Sequence, residues 1–475
     1  MHAVQRPPAR SERARAFLDA VEDPRYTRGV VKGIDPFLEG RVPREARGLY
    51  SADELAALLA LRGTERDVEA RMPVKVTRHY AELARHSPAL QRIVKADPGE
   101  TLDLEGLDDP GYQMDYSPVE GLLHKYEMAL VYAVSTCSAH CRFCYREELI
   151  AGKRVERADG TVARKGLARM PEVAAYVRAH NRKVARGGGV HPETGRPKLR
   201  EVLLSGGDPM VLSNGRIAAW LASLAEAGVE MIRLGTKELA FHPGRFDAAF
   251  LAMMDAFHEA YPDVAFRLLT HFDHPHEFLL ADRTGGFVEG PGGLPRWHPR
   301  TRQALDALKS RGWIDVENQA PIIRGVNDDA DVLRVLQREL KRVGVENHYF
   351  FGGRDIVAHR SFNVPIERAW QLLNASQKGL SGVEAHARLS LTHYKGKTEV
   401  VTVSDGPIPG VPAAADGFVV FKLLRSAADA PDRGKACIVG RNPEALWFDG
   451  YDDRVVVDEA GLYDYERTPV RRPGR

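Results

Sequence analysis

The chain has only four cysteines in 475 residues. That is too few for a disulfide framework and points to a reducing compartment. No apolar run reaches the roughly 18 residues needed to cross a bilayer. The arginine-rich opening, Met1 to Arg15, lacks the apolar segment of a signal peptide, so a cytoplasmic location without a membrane partner is expected. Neither sign of charge is in excess. With 67 Lys and Arg against 65 Asp and Glu, the formal charge is +2, which gives no whole-protein attraction to nucleic acid or lipid. The one basic, glycine-rich stretch, Arg182 to Arg200, has no interleaved aromatics and reads as a solvated loop, so nucleic acid is not an expected partner. No internal repeat is evident.

What the chain does have is a cluster. Three of its cysteines, Cys137, Cys141 and Cys144, fall in Ser135-Thr-Cys-Ser-Ala-His-Cys-Arg-Phe-Cys-Tyr-Arg146, directly after the apolar run Ala129 to Val134. Each iron corner of a [4Fe–4S] cube wants a sulfur, so three protein thiolates leave one iron open for something that is not protein. Structural zinc is the rival reading. It wants four ligands, and the remaining cysteine, Cys437, stands far away and alone.

Around this motif the pattern is that of an α/β protein. Residues 1–110 read as an N-terminal helical region, with Ala-Leu periodicity at Ser51 to Leu61, a capping box from Ser51 to Glu54, and a second helical stretch from Pro73 to Val94. From Ala129 onward, short β-rich runs alternate with amphipathic ones, the mark of βα units feeding a parallel sheet. About six strands are expected, at Ala129–Val134, Glu201–Leu204, Met231–Leu234, Ala265–Thr270, Ile314–Pro321 and Asn347–Phe351, which suggests a partial (β/α)6 barrel over residues 111–405. Functional groups in such barrels stand at the carboxyl ends of strands. The cysteine loop, Ser205-Gly-Gly-Asp-Pro209, Thr270-His-Phe-Asp-His-Pro275 and Arg324-Gly-Val-Asn-Asp328 all fall there, so four polar constellations should converge. Thr284 to Trp297, rich in glycine, is a candidate lid. Residues 406–416 read as a linker, and 417–475 as a small C-terminal β-rich accessory segment ending in a basic tail. His271 and His274 read as pocket residues rather than metal ligands, and His393 as an acid/base candidate.

The cysteine spacing resembles the radical S-adenosylmethionine (SAM) superfamily, and the flanking text is similar to the lysine 2,3-aminomutase family. Ser117-Pro-Val-Glu-Gly-Leu-Leu-His-Lys-Tyr126, Leu203-Leu-Ser-Gly-Gly-Asp208, Thr270 to Pro275, Asn318-Gln319 and Arg324 to Asp328 match its blocks in order, across roughly two thirds of the chain. The resemblance implies a radical SAM isomerase that cleaves SAM to a 5′-deoxyadenosyl radical, abstracts hydrogen from an amino acid and moves its amine by one carbon. Pyridoxal 5′-phosphate (PLP) would assist through a lysine imine. It also implies an electron donor such as flavodoxin or ferredoxin, and leaves open whether the chains form a homo-oligomer.

Residue by residue, the resemblance assigns Ser205, Gly206, Gly207 and Asp208 to SAM, Lys125 and Tyr126 to the cofactor, and Lys397 in Tyr394-Lys-Gly-Lys-Thr-Glu399 to PLP. Lys395 is a rival, because only Gly396 remains of the family's glycine run. Arg146 is expected to grip the substrate carboxylate. Asp328 is expected to read a side-chain amine, but the second aspartate of that reader is replaced by Ser390, and Glu147 and Glu148 stand where the family has arginines. These departures keep an alternative open: a PLP-independent radical SAM enzyme performing hydrogen abstraction, epimerisation or dehydrogenation on another substrate.

Overall fold

The computed structural model describes residues 11–22, 72, 74–96, 99–102, 105–156, 160–282, 284–426 and 432–464. The expected Ser51 to Leu61 helix with its cap, and the basic tail, lie outside these residues. In chain order the strands are β1 (Leu122–Leu123), β2 (Met128–Val134), β3 (Arg154–Glu156), β4 (Val162–Arg164), β5 (Glu201–Gly206), β6 (Met231–Thr236) and β7 (Ala265–Thr270). They continue with β8 (Ile314–Pro321), β9 (Glu346–Phe351), β10 (Arg388–Thr392), β11 (Gly396–Ser404), β12 (Phe418–Ser426), β13 (Ala436–Gly440) and β14 (Val455–Asp458). Twelve of them form one sheet in the order β1-β2-β5-β6-β7-β8-β9-β10-β11-β12-β13-β14, and β3 and β4 form a separate hairpin.

From β2 through β5 to β10 every neighbouring pair is parallel. The six expected strands are present, and β10 is a seventh parallel strand absent from the sequence reading. Beyond it the pairing turns antiparallel, so β11 to β14 extend the same sheet edge to edge.

The helices lie where a crossover must return the chain to the start of the next parallel strand. Three of them begin at side-chain caps. Ser213 Oγ accepts from the Arg216 amide at 3.3 Å, Asp247 Oδ1 from Phe250 at 2.8 Å, and Asp329 Oδ1 from Asp331 and Val332 at 2.8 and 3.0 Å. These open helices Asn214–Glu226, Ala248–Ala260 and Ala330–Arg342. Alternation along the strands then sorts the two faces. Val202 and Leu204 of β5 and Ile232 and Leu234 of β6 are fully buried in the core beneath these helices. Glu201, Leu203, Met231 and Arg233, on the opposite face, are only partly buried.

Two segments lie at the periphery of the sheet and helices. Helix Glu12–Glu22 packs Phe17 against Phe257 and Tyr261, with ring centroids 5.9 and 6.2 Å apart. The Thr284 to Trp297 insertion folds as a ladder of antiparallel bridges, Ala281 with Phe287 and Glu289 with Pro295. It contributes no residue to the central cavity described next, so the lid expectation gains no support from its placement.

Candidate active site

Residues of β1, β2 and every strand from β5 to β12 line a single cavity of about 380 Å³. The cysteine loop forms part of its wall: Cys137, Cys141 and Cys144 all line it. Residues of the N-terminal region, among them helix Pro88–Val94, hold this loop in place. The amides of His140 and Arg142 donate to the carbonyls of Lys75 and Ile93 at 2.9 and 2.8 Å, and Lys75 Nζ donates to the Cys137 carbonyl at 2.6 Å. Arg142, between two of the cysteines, is fully buried. It forks onto Glu100 with bonds of 3.1, 3.2 and 2.7 Å and reaches the Met72 carbonyl at 2.5 Å.

Such a pair is costly to break from one side, because the remaining charge stays buried alone. Arg142→Ala is expected to destabilise the protein by about 3–5 kcal/mol, read as a drop in thermal midpoint. A midpoint unchanged from the parent would show that the clamp carries nothing.

Burial raises the Cys137 and Cys141 thiols well above their ordinary range. The negative charge of Asp208 and of the other two cysteines adds to this at Cys137, while Lys237 opposes it at Cys141. Among the described residues no three His, Cys, Asp or Glu side chains close on a single-ion position. A cubane bonds each thiolate to a different iron, so its ligands stand farther apart than those of one ion. Three thiols around one cavity wall fit that demand.

Next to this loop, β5 ends in Ser205-Gly-Gly-Asp208. A Cβ on Gly206 would stand 2.2 Å from the Val134 carbonyl oxygen, and one on Gly207 2.2 Å from that of Thr136. Gly206 also has φ of +117°. Both glycines are therefore required by the close approach of the chain around the β2 end, whatever else they touch. Asp208 is committed too. Its oxygens accept from Met210 N at 3.0 Å, Thr236 Oγ1 at 2.9 Å and Lys237 N at 2.7 Å, tying β5 to the end of β6. Beneath Cys141, Lys237 Nζ donates to Asp273 at 2.8 Å, Glu277 at 2.7 Å and the His271 carbonyl at 2.7 Å, and Tyr80 donates to Glu277 at 2.7 Å. His271 lines the cavity, but His274 does not; its Nδ1 accepts from the His276 amide.

Arg146 stands on the same wall. One guanidinium nitrogen donates to Ser205 Oγ at 2.6 Å and to the Gly206 carbonyl at 2.9 Å. Lys125 and Tyr126 also line the cavity. Lys125 Nζ donates to the carbonyls of His393 and Gly111 at 3.1 and 3.3 Å, and burial, then Arg354, lowers it to about 7.

The two rival lysines stand in different cavities. Lys397 lines the cavity, with its ammonium 4.3 Å from the Tyr349 ring centroid and 5.1 Å from that of Phe351, and it makes no hydrogen bond or ion pair among the described residues. Burial, then Arg425, Arg233 and Arg354, lowers it to about 7. Lys395 lines a different, acidic cavity with Asp432, Asp458 and Glu459.

Other sequence-derived candidates fall outside the cavity. Asp328 is not part of the lining, and its Oδ1 accepts from the Gly325 amide at 2.8 Å. Ser390 is fully buried in β10 and also absent from the lining. His393 Nδ1 accepts from the Lys395 amide at 3.2 Å, and burial lowers it to about 3, so it is a neutral turn residue. Glu147 pairs with Lys153 and His359, and Glu148 with Lys165, so neither faces the cavity as a free carboxylate. Sequence reading missed the arginines Arg233, Arg354 and Arg425, which line the cavity from β6, the loop after β9, and β12.

Comparison with known proteins bears on the class. An Aquifex aeolicus protein named "Putative L-lysine 2,3-aminomutase" is 30% identical over 367 residues, 76% of this chain and 83% of that protein. The L-lysine 2,3-aminomutase of Clostridium subterminale is 25% identical over 278 residues, 58% of this chain and 55% of its own length. The glutamate 2,3-aminomutase of Clostridioides difficile is 24% identical over 59% of this chain and 54% of its own length. The chain thus spans little more than half of these two relatives. No family model matches it. The likeness to aminomutases makes this chain a radical SAM enzyme. Within that class it belongs to the lysine 2,3-aminomutase family.

Proposed function

We propose that this protein is a radical SAM, PLP-assisted amino-acid aminomutase that shifts an amine from the α to the β carbon. The observation that carries the reading is that Lys397, and not Lys395, shares one cavity with three thiols and Arg146. In this reading Cys137, Cys141 and Cys144 hold a [4Fe–4S] cluster, the Ser205 to Asp208 turn borders SAM, Lys397 holds PLP, and Lys125 and Tyr126 flank it. When bound, these groups supply a 5′-deoxyadenosyl radical and an electron sink for the migrating nitrogen.

The chain's own residues do the rest. Arg146 is placed to orient the substrate carboxylate as a guanidinium pair, which fixes direction as well as charge. Lys397, desolvated and beside arginines, is lowered to about 7, so about half of it is uncharged at neutral pH, the state in which an amine is a nucleophile. The apolar wall from Leu203, Leu269, Tyr349 and Phe351 keeps water from a reactive radical. That strands from β2 to β11 contribute to one cavity supports the partial barrel expected of this class. The reading also entails a flavodoxin- or ferredoxin-type electron donor and a reducing, cytoplasmic setting.

The test is anaerobic reconstitution with iron, sulfide, SAM and PLP, followed by product analysis on a panel of amino acids. A β-amino acid product together with 5′-deoxyadenosine is expected. Formation of 5′-deoxyadenosine in protein that never takes up PLP would instead favour the PLP-independent alternative.

A further inference from the structure

We infer that the substrate is an α-amino acid with a second carboxylate in its side chain, and that Arg354 receives that carboxylate; the inference rests on the aminomutase reading above. The cavity lining is lopsided in charge: it carries seven Lys and Arg side chains and one carboxylate, Asp208. Asp208 is already engaged by two amides and a hydroxyl. Three of the cations are balanced from behind the wall. Lys237 is held by Asp273 and Glu277, Arg233 meets Glu201 at 3.0 Å, and Arg425 meets Glu127 at 3.6 Å.

Arg354 has no such partner among the described residues. Its guanidinium carbon lies 4.4 Å from the Tyr145 ring centroid, and that of Arg146 lies 4.7 Å from the same ring. The two guanidinium carbons are therefore no farther apart than the sum of those distances. A molecule of aspartate or glutamate size can reach both with its two ends. If Arg146 takes the α-carboxylate, Arg354, against the same Tyr145 ring, is a guanidinium within reach for a second one.

A lysine side chain fares badly in the same place. Its ammonium would meet no uncommitted carboxylate in the lining, since Asp328 stands outside it. It would instead meet the guanidinium of Arg354, and like charges in a desolvated cavity repel strongly. Such repulsion discriminates against a wrong substrate as effectively as a good contact selects the right one. Bidentate guanidinium–carboxylate pairing supplies the attractive half.

The competing job for Arg354 is to hold the PLP phosphate, and the experiment separates the two. Reconstituted protein is titrated calorimetrically with L-glutamate, L-aspartate, L-lysine and L-alanine, and its PLP content is measured alongside. One dicarboxylic amino acid is expected to bind at least about tenfold more tightly than L-lysine, tenfold being 1.4 kcal/mol. In Arg354→Ala that preference should vanish, with L-alanine binding held within about twofold and PLP content unchanged. Arg354→Lys should keep part of the preference, which guards against misreading a folding defect.

Lysine binding as tight as either acid, or no binding of either acid, overturns the assignment. So does a parallel loss of PLP and of L-alanine binding in Arg354→Ala. A dicarboxylic preference in protein that forms no β-amino product would leave this inference standing and sink the aminomutase reading. Amine migration on lysine would do the reverse.

Discussion

Cys141→Ala is expected to abolish the iron–sulfur absorbance and reduce 5′-deoxyadenosine formation to background, while Cys437→Ala leaves both intact. Two thiolates cannot anchor a cubane and still present one open iron, so the effect should be all or none rather than graded. Cys141 is the sharpest choice because the loop is held on either side of it, through His140 and Arg142, so its backbone should stay in place when the sulfur is removed. Cys437 is the matched control: it is fully buried in β13 and does not line the cavity. Metal analysis decides the outcome. The parent protein should carry about four irons per chain and the variant almost none. One zinc per chain in the parent, or iron retained in Cys141→Ala, would remove the basis of the radical reading.

The cysteine loop was legible because its chemistry is local: three sulfurs within eight residues declare themselves without a fold. The six strands read from β-rich runs were legible for the same reason. β10 was not, since Arg-Leu-Ser-Leu-Thr is short and lies in a stretch without long apolar runs.

The cavity arginines illustrate a harder limit. Arg233, Arg354 and Arg425 come from β6, a loop and β12, and no spacing in the chain connects them. One trace was available. Arg233 interrupts the apolar run Met231-Ile-Arg-Leu, and a charge in the middle of a parallel strand, both of whose faces are normally covered, must point at something polar. Asp328 is the opposite case: the motif is plain in the sequence, and in the fold its carboxylate accepts from the Gly325 amide outside the cavity lining.

Lys397→Ala is expected to lose borohydride-stable attachment of PLP completely and to lower aminomutase turnover by about a thousandfold or more, whereas Lys395→Ala should match the parent. The contrast follows from where the two side chains stand, one in the thiol-lined cavity and one in a separate, acidic cavity. Its pH dependence is equally specific. With Lys397 lowered to about 7 by burial and then by Arg425, Arg233 and Arg354, about nine tenths of it is neutral at pH 8, against under about 1% of an ordinary lysine. The pH profile of PLP attachment should therefore have its midpoint near 7.

Stability carries the same signature. The unfolded chain, with its lysine at about 10.5, binds more protons than the folded one between that value and about 7. Apo-protein should thus gain stability as pH rises through this window, and Lys397→Met should flatten the slope. Attachment that survives in Lys397→Ala but fails in Lys395→Ala, or an attachment midpoint near 10, would move the chemistry to the other lysine and out of the cavity altogether.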